Sequence, residues 1–270
     1  MKYSMATVCL GGTLEERFAA ISAAGYDGVE IFEHDLRLHK GTALAIKNMA
    51  ADLGLEIMAL GPFRDFEGVP ASQRSNVLDL ARKKLSLMND LGINRLLVCS
   101  NTSLESSGDI FRIANDLNEL GDLAQQFEIE VGFEALAWGH HIWDYRKAWE
   151  VVELADHSSV GIVLDNWHIM ARELPLEEIK SIPAEKIVFV QLADAPKMQL
   201  ELLEWSRHHR CFPGQGDWDM EPFYEVLEEI NYDGWVSHEI FNDKFRIADP
   251  KTIALDGIRS FLPLSKRANT

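Results

Sequence analysis

The chain has 270 residues, 47% of them hydrophobic and 26% charged, which is the make-up of a folded globular protein and excludes intrinsic disorder. Lys and Arg number 26 against 43 Asp and Glu, a formal net charge of −17, and no Lys/Arg-rich run interrupts the sequence, so nucleic acid is not an expected partner. Cys9, Cys99 and Cys211 are far apart and odd in number, which argues against both a disulfide framework and a thiolate zinc site. No window approaches the roughly 18 apolar residues of a membrane span, and the N-terminal MKYSMATVCLGG is too weak for a signal peptide. The expected setting is soluble and cytoplasmic, and a homo-oligomer is left open.

Short apolar, β-prone runs recur along the chain: Tyr3–Leu10, Gly28–Glu33, Glu56–Phe63, Asn94–Asn101, Glu130–Leu136, Val160–His168, Ile187–Ala195 and Trp235–Phe241. Helical spacing of apolar residues fills the intervals, as in Thr13–Ala24, Gln73–Leu91 and Phe223–Ile230. Gly25, Gly54 and Gly92 each follow a helical pattern where a left-handed C-cap is needed before the next strand. Eight near-continuous apolar strands alternating with helices predict a parallel sheet covered on both faces. Periodicity alone does not close a barrel and leaves an open doubly wound sheet as the alternative; against it, no GxGxxG follows the first strand, and no Pro/Gly/Ser-rich linker divides the chain. The expected architecture is therefore one α/β domain over residues 1–270, a (β/α)8 TIM barrel over about 3–262 with a short C-terminal tail.

In such a barrel the chemistry projects from the C-terminal ends of the strands. The last four strands each place an oxygen-bearing side chain directly after an apolar run: Glu134, Asp165, Gln191 and Glu239. Closure brings the four together, and three carboxylates in one place repel unless a cation or protons compensate them. Oxygen-only ligation points to a hard divalent ion, Mg2+ or Mn2+, as cofactor. His168 stands three residues after Asp165 and is a candidate for proton transfer beside that ion. Arg64, in the loop after strand three, and Arg210, in the long loop WSRHHRCFPGQGDWD expected after strand seven, are candidates for holding a carboxylate.

The phrases GYDGVEIFE, EALAWG, D-x-x-H at Asp165–His168, Q-x-x-D at Gln191–Asp194 and FPGQGDWD resemble the strand-end signatures of the xylose isomerase-like TIM barrels. Within that group PFRDFEG, LVCSN, VQLADAP, LEWSRHHRCFPGQG and HEIFND resemble the metal-dependent bacterial 3-dehydroshikimate dehydratases over residues 3–262. The resemblance implies a lyase that converts 3-dehydroshikimate to protocatechuate through an enolate, in quinate and shikimate catabolism. It implies the same four metal ligands, with His168, Arg64 and Arg210 lining the substrate pocket. A sugar or sugar-phosphate isomerase or epimerase on the same metal site is the alternative; a non-catalytic barrel is less consistent with four intact ligand positions. Two departures stand out: many such dehydratases carry a dioxygenase-like domain after the barrel whereas this sequence stops at Thr270, and Leu136 stands where some relatives have a His. The barrel is expected to be the catalytic part, with His168 taking the proton-transfer role.

Overall fold

The computed structural model describes residues 1–262. Eight parallel strands close into a barrel in the order β1-β2-β3-β4-β5-β6-β7-β8. They are β1 Lys2–Ala6, β2 Gly28–Phe32, β3 Glu56–Phe63, β4 Arg95–Cys99, β5 Glu130–Glu134, β6 Val160–Asp165, β7 Ile187–Leu192 and β8 Trp235–His238. The seam is sealed by β1 pairing with β8, Lys2 opposite Trp235 through Met5 opposite His238. Each strand is short and buried on both faces, with helices outside and side chains filling the inside. The filling includes Met58, Leu97, Val163, Phe189 and Trp235, drawn from five strands and clustered apart from the main core. Gly132 makes room for it: a Cβ there would lie 2.5 Å from the Val163 side chain.

Local signals set the connections. Thr13 caps the helix Leu14–Ala24 and Glu16 reciprocates, while Gly25 ends it at φ 93°. Gly92 ends Ala71–Leu91 in the same left-handed conformation, at φ 74°. Glu225, Glu228 and Glu229 form the solvent face of Glu221–Glu229, whose Phe223, Tyr224, Val226 and Leu227 are buried.

Every strand but β3 ends before its apolar run does, and after β1 and β6 the run continues directly into a 3-10 turn or a helix. The run from Tyr3 leaves the sheet after Ala6 and continues as a 3-10 turn, Thr7–Cys9. The run from Val160 stops at Asp165, whose carboxylate accepts the Trp167 N–H at 2.7 Å and starts the helix Asn166–Ala171. His168 therefore sits on a helix rather than a strand end, one turn past Asp165. The segment after β7, expected as a loop, contains the helix Leu202–His208. Among the described residues no helix is long and apolar enough to cross a membrane.

Candidate active site

Register places Glu134, Asp165 and Gln191 at one end of the barrel. Glu134 lies opposite Cys99 and Val163, Asp165 opposite Gln191, and Gln191 opposite Ser237. Glu239 follows β8 directly. All four side chains are buried. Ligand atoms of Glu134, Asp165 and His168 lie within 4.8 Å of one another, an arrangement able to hold a metal ion.

Arg210 ties the cluster together. Its Nη1 donates to Asp165 Oδ2 at 2.8 Å and to Glu239 Oε2 at 2.9 Å, and its Nε and Nη2 donate to Ser206 Oγ at 3.2 and 2.9 Å. Nη2 also stands 3.3 Å from His168 Nε2. The guanidinium packs over the Trp167 ring and is only 1% exposed, so it faces the carboxylates rather than solvent. Its position depends on a buried neighbour, Asp194. The Asp194 carboxylate accepts the backbone N–H groups of Gly214, Gly216 and Trp218, and its backbone pairs with Cys211. Gly216 is required there, since a Cβ would lie 2.3 Å from Asp194 Oδ1. The Q-x-x-D and FPGQG phrases thus meet in one knot that fixes Arg210.

His168 is buried, and its Nδ1 accepts the Ala137 N–H at 2.9 Å. In the neutral ring the proton therefore resides on Nε2, which lies 3.4 Å from both Glu134 Oε1 and Asp165 Oδ2. Burial, then the charges of Arg210, Arg207 and Arg64, hold the ring well below its usual pKa, so it is neutral near pH 7. Burial and the Asp165 and Glu239 charges push the Glu134 carboxyl up to about 8. Cys99 donates its thiol to Glu134 Oε2 at 2.9 Å; burial raises that thiol, which remains protonated.

Whether these residues suit a metal can be judged from what they leave unsatisfied. Buried polar atoms nearly always find partners. Glu134 Oε1 and Gln191 Oε1 are both buried and accept no hydrogen bond from a described residue, although His168 Nε2 stands 3.4 Å from the former. They belong to two of the four expected ligands, and oxygen is the donor type that a hard divalent cation takes. The residues fit such an ion.

Sequence reasoning passed over two residues. Glu30 on β2 is fully buried; it accepts Gln191 Nε2–H at 2.8 Å and Ser237 Oγ–H at 2.8 Å. The first bond orients the amide and leaves Gln191 Oε1 as its free end. A lone carboxylate inside the apolar phrase GVEIF was the available signal. Burial and the Glu239 charge push the Glu30 carboxyl well up. The other is Arg207. It lines, with Arg64, Phe32, Phe63 and Phe241, a cavity of about 820 Å³ beside the ends of β2 and β3. The R-x-x-R spacing of Arg207 and Arg210, about one helical turn, was its signal. Arg64 faces this cavity, whereas Arg210 does not line it.

The model of the family described as xylose isomerase-like TIM barrel matches residues 18–264. The chain belongs to that family. Among xylose isomerase-like TIM barrels it is 46% identical to a Pseudomonas putida protein named 3-dehydroshikimate dehydratase, over 99% of this chain and 42% of that relative. It thus spans about two fifths of the length of this curated relative. A solved structure described as a xylose isomerase-like TIM barrel/4-hydroxyphenylpyruvate dioxygenase fusion protein is 46% identical, with a TM-score of 0.96 over 99% of this chain and 43% of that one. The IolI protein, solved with a bound zinc atom, shares the fold at a TM-score of 0.89 and 18% identity, each chain covered to 99%.

Proposed function

We propose that this barrel is a divalent-metal-dependent lyase that converts 3-dehydroshikimate to protocatechuate with loss of one water, a cytoplasmic step in quinate and shikimate catabolism. The observation that carries the metal reading is the pair of buried oxygens that accept no hydrogen bond, Glu134 Oε1 and Gln191 Oε1, beside Asp165, Glu239 and His168. The name carried by the Pseudomonas putida relative supports the substrate.

In this reading Glu134, Asp165, Gln191 and Glu239 would hold Mg2+ or Mn2+, which would supply Lewis acidity toward a ketone oxygen. Arg64 faces the cavity and holds the ring carboxylate. His168, neutral and with its proton on Nε2, donates a hydrogen bond at that atom toward the reacting oxygen, where the Ala137 N–H bond to Nδ1 keeps the ring in a single tautomer. Arg210 offsets the charge of Asp165 and Glu239 and leaves Glu134 and Gln191 each with an open oxygen. The ring loses a proton and a hydroxide, which leave together as one water, and the aromatic product makes the step downhill, so stabilising negative charge beside the ketone is the main task.

The test is ultraviolet absorbance after mixing chelator-treated protein with 3-dehydroshikimate, with and without added Mg2+ or Mn2+. A catechol band that grows only with metal is expected, and Glu134→Ala should lower its rate at least 100-fold. No band with any divalent ion refutes the dehydratase reading and directs the search to ketoses and sugar phosphates.

A further inference from the structure

The cavity beside the ends of β2 and β3 is strongly cationic in a chain whose net charge is −17. Five of its lining residues are Lys or Arg: Arg37, Arg64, Lys83, Lys84 and Arg207. Glu33 accounts for two of them, since it pairs with both Arg37 and Lys84. Arg64 and Arg207 are different. Neither side chain makes a hydrogen bond or an ion pair with any described residue, although the sequence holds 43 carboxylates.

Arg207 is also held in place. Its guanidinium lies 4.3 Å from the centre of the Phe241 ring and 5.4 Å from that of Trp138, two aromatic faces that fix its plane without using its N–H groups. Burial lowers its pKa, the Glu239 charge raises it and the Arg64 and Arg210 charges lower it again, and the guanidinium remains charged. Arg64 and Arg207 line one cavity, and Arg207 and Arg210 both lie near the Phe241 ring, at 4.3 and 5.5 Å from its centre. Arg210 is saturated by Asp165, Glu239 and Ser206, while the other two keep their donors for something else. A half-buried cation fixed in plane, with free donors and with the nearby Glu239 carboxylate bonded to Arg210 instead, gains from an incoming anion.

We propose that Arg207 and Arg64 together form the carboxylate seat of the cavity, with Arg207 the residue that sets specificity for an anionic ring over its neutral analogue. This deepens the dehydratase reading and rests on it for the identity of the ring. It assigns the seat to the pair that lines the cavity, and leaves Arg210 to the carboxylate cluster.

The experiment compares protein carrying Arg207→Met with the unsubstituted protein; methionine keeps an apolar stem between Trp138 and Phe241. Calorimetry measures binding of 3,4-dihydroxybenzoate and of its methyl ester to the manganese-loaded protein, and steady-state rates are taken with 3-dehydroshikimate. The unsubstituted protein should prefer the acid over the ester by at least 10-fold, and Arg207→Met should bring that ratio to within about 3-fold. KM for 3-dehydroshikimate should rise 10- to 100-fold with kcat changed less than 5-fold. A variant that keeps the acid preference overturns the seat, as does one that weakens acid and ester equally, the mark of a structural role. If the unsubstituted protein prefers the acid, the variant loses that preference and neither turns over 3-dehydroshikimate, the seat stands and the dehydratase reading falls.

Discussion

Replacing Arg210 with methionine would take from the buried cluster the cation that contacts Asp165 at 2.8 Å and Glu239 at 2.9 Å. The three side chains are between 0 and 8% exposed, so solvent cannot take over the role of the guanidinium. Removing one partner from a buried, hydrogen-bonded ion pair typically costs about 3–5 kcal/mol, because the charge left behind is uncompensated. At about 2–4 °C per kcal/mol for a chain near this size, the variant should melt roughly 10 °C lower in the presence of a chelator. A divalent ion changes that outcome. Any ligand that binds only the native state adds about 2.7 kcal/mol at a hundred times its dissociation constant. In the variant the ion has Asp165 and Glu239 to itself, so Mn2+ should raise the melting temperature more in Arg210→Met than in the unsubstituted protein. Scanning calorimetry with chelator and with Mn2+ gives both numbers. A chelator melt within about 3 °C of the unsubstituted protein, or an equal Mn2+ shift in the two proteins, would refute the assignment of Arg210 as the counter-charge of the cluster.

Two further changes probe separate parts of the molecule. Glu30→Ala removes the acceptor that holds the Gln191 amide, and loss of such a supporting contact typically weakens metal binding about 10–100-fold; Mn2+ titration followed by electron paramagnetic resonance should show that drop, and an unchanged affinity would exclude the role. Burial pushes the Glu67 carboxyl from 4.5 up to about 8, and its Oε2 has no partner. Between those values the native state keeps a proton that the unfolded chain has released, so this group lowers stability as pH rises through that window, with no further change above about 8. Glu67→Gln removes the effect. Urea unfolding at pH 5 and pH 7 should show the variant gaining about 3 kcal/mol on the unsubstituted protein across that interval, and parallel pH profiles would refute it.

The barrel was legible because its strands are buried on both faces and read as apolar runs, while the helices between them carry a different period. What the runs did not reveal is where a strand stops. Asp165 is apolar-run material by position, yet its carboxylate turns back to the Trp167 N–H and starts a helix, which moves His168 off the strand. Glu134, Asp165, Gln191 and Glu239 stood out as polar residues ending apolar runs. Glu30 was harder to read, since its placement depends on the irregular register between β2 and β3 at Val29/Glu30, a pairing with residues nearly thirty positions away. Arg207 and Arg210 could not be told apart by local pattern. One ends among carboxylates and the other over a cavity because a seven-residue helix and the knot at Asp194 lie around them, and those depend on contacts with β7 and β8.

That separation of the two arginines makes the charge layout intelligible. Sequence alone sets an anionic ligand against a chain of −17, a combination that repels at long range. The structure divides the charge over a short distance. Asp165 and Glu239 pair with Arg210, and Arg64 and Arg207 line the cavity without an ion pair to any described residue. An anion entering the cavity meets Arg64 and Arg207, which line it, while Glu134 Oε1 and Gln191 Oε1 are buried oxygens of the expected divalent-cation ligands that accept no hydrogen bond from a described residue. The two ligands therefore do not compete for the same groups. Each also lowers the cost of the other, since the cation offsets the charge that repels the anion and the anion offsets the guanidiniums that repel the cation. Binding of the carboxylate ring and of the metal should accordingly be mutually favourable, a coupling that the order of addition in the calorimetric titrations cannot change.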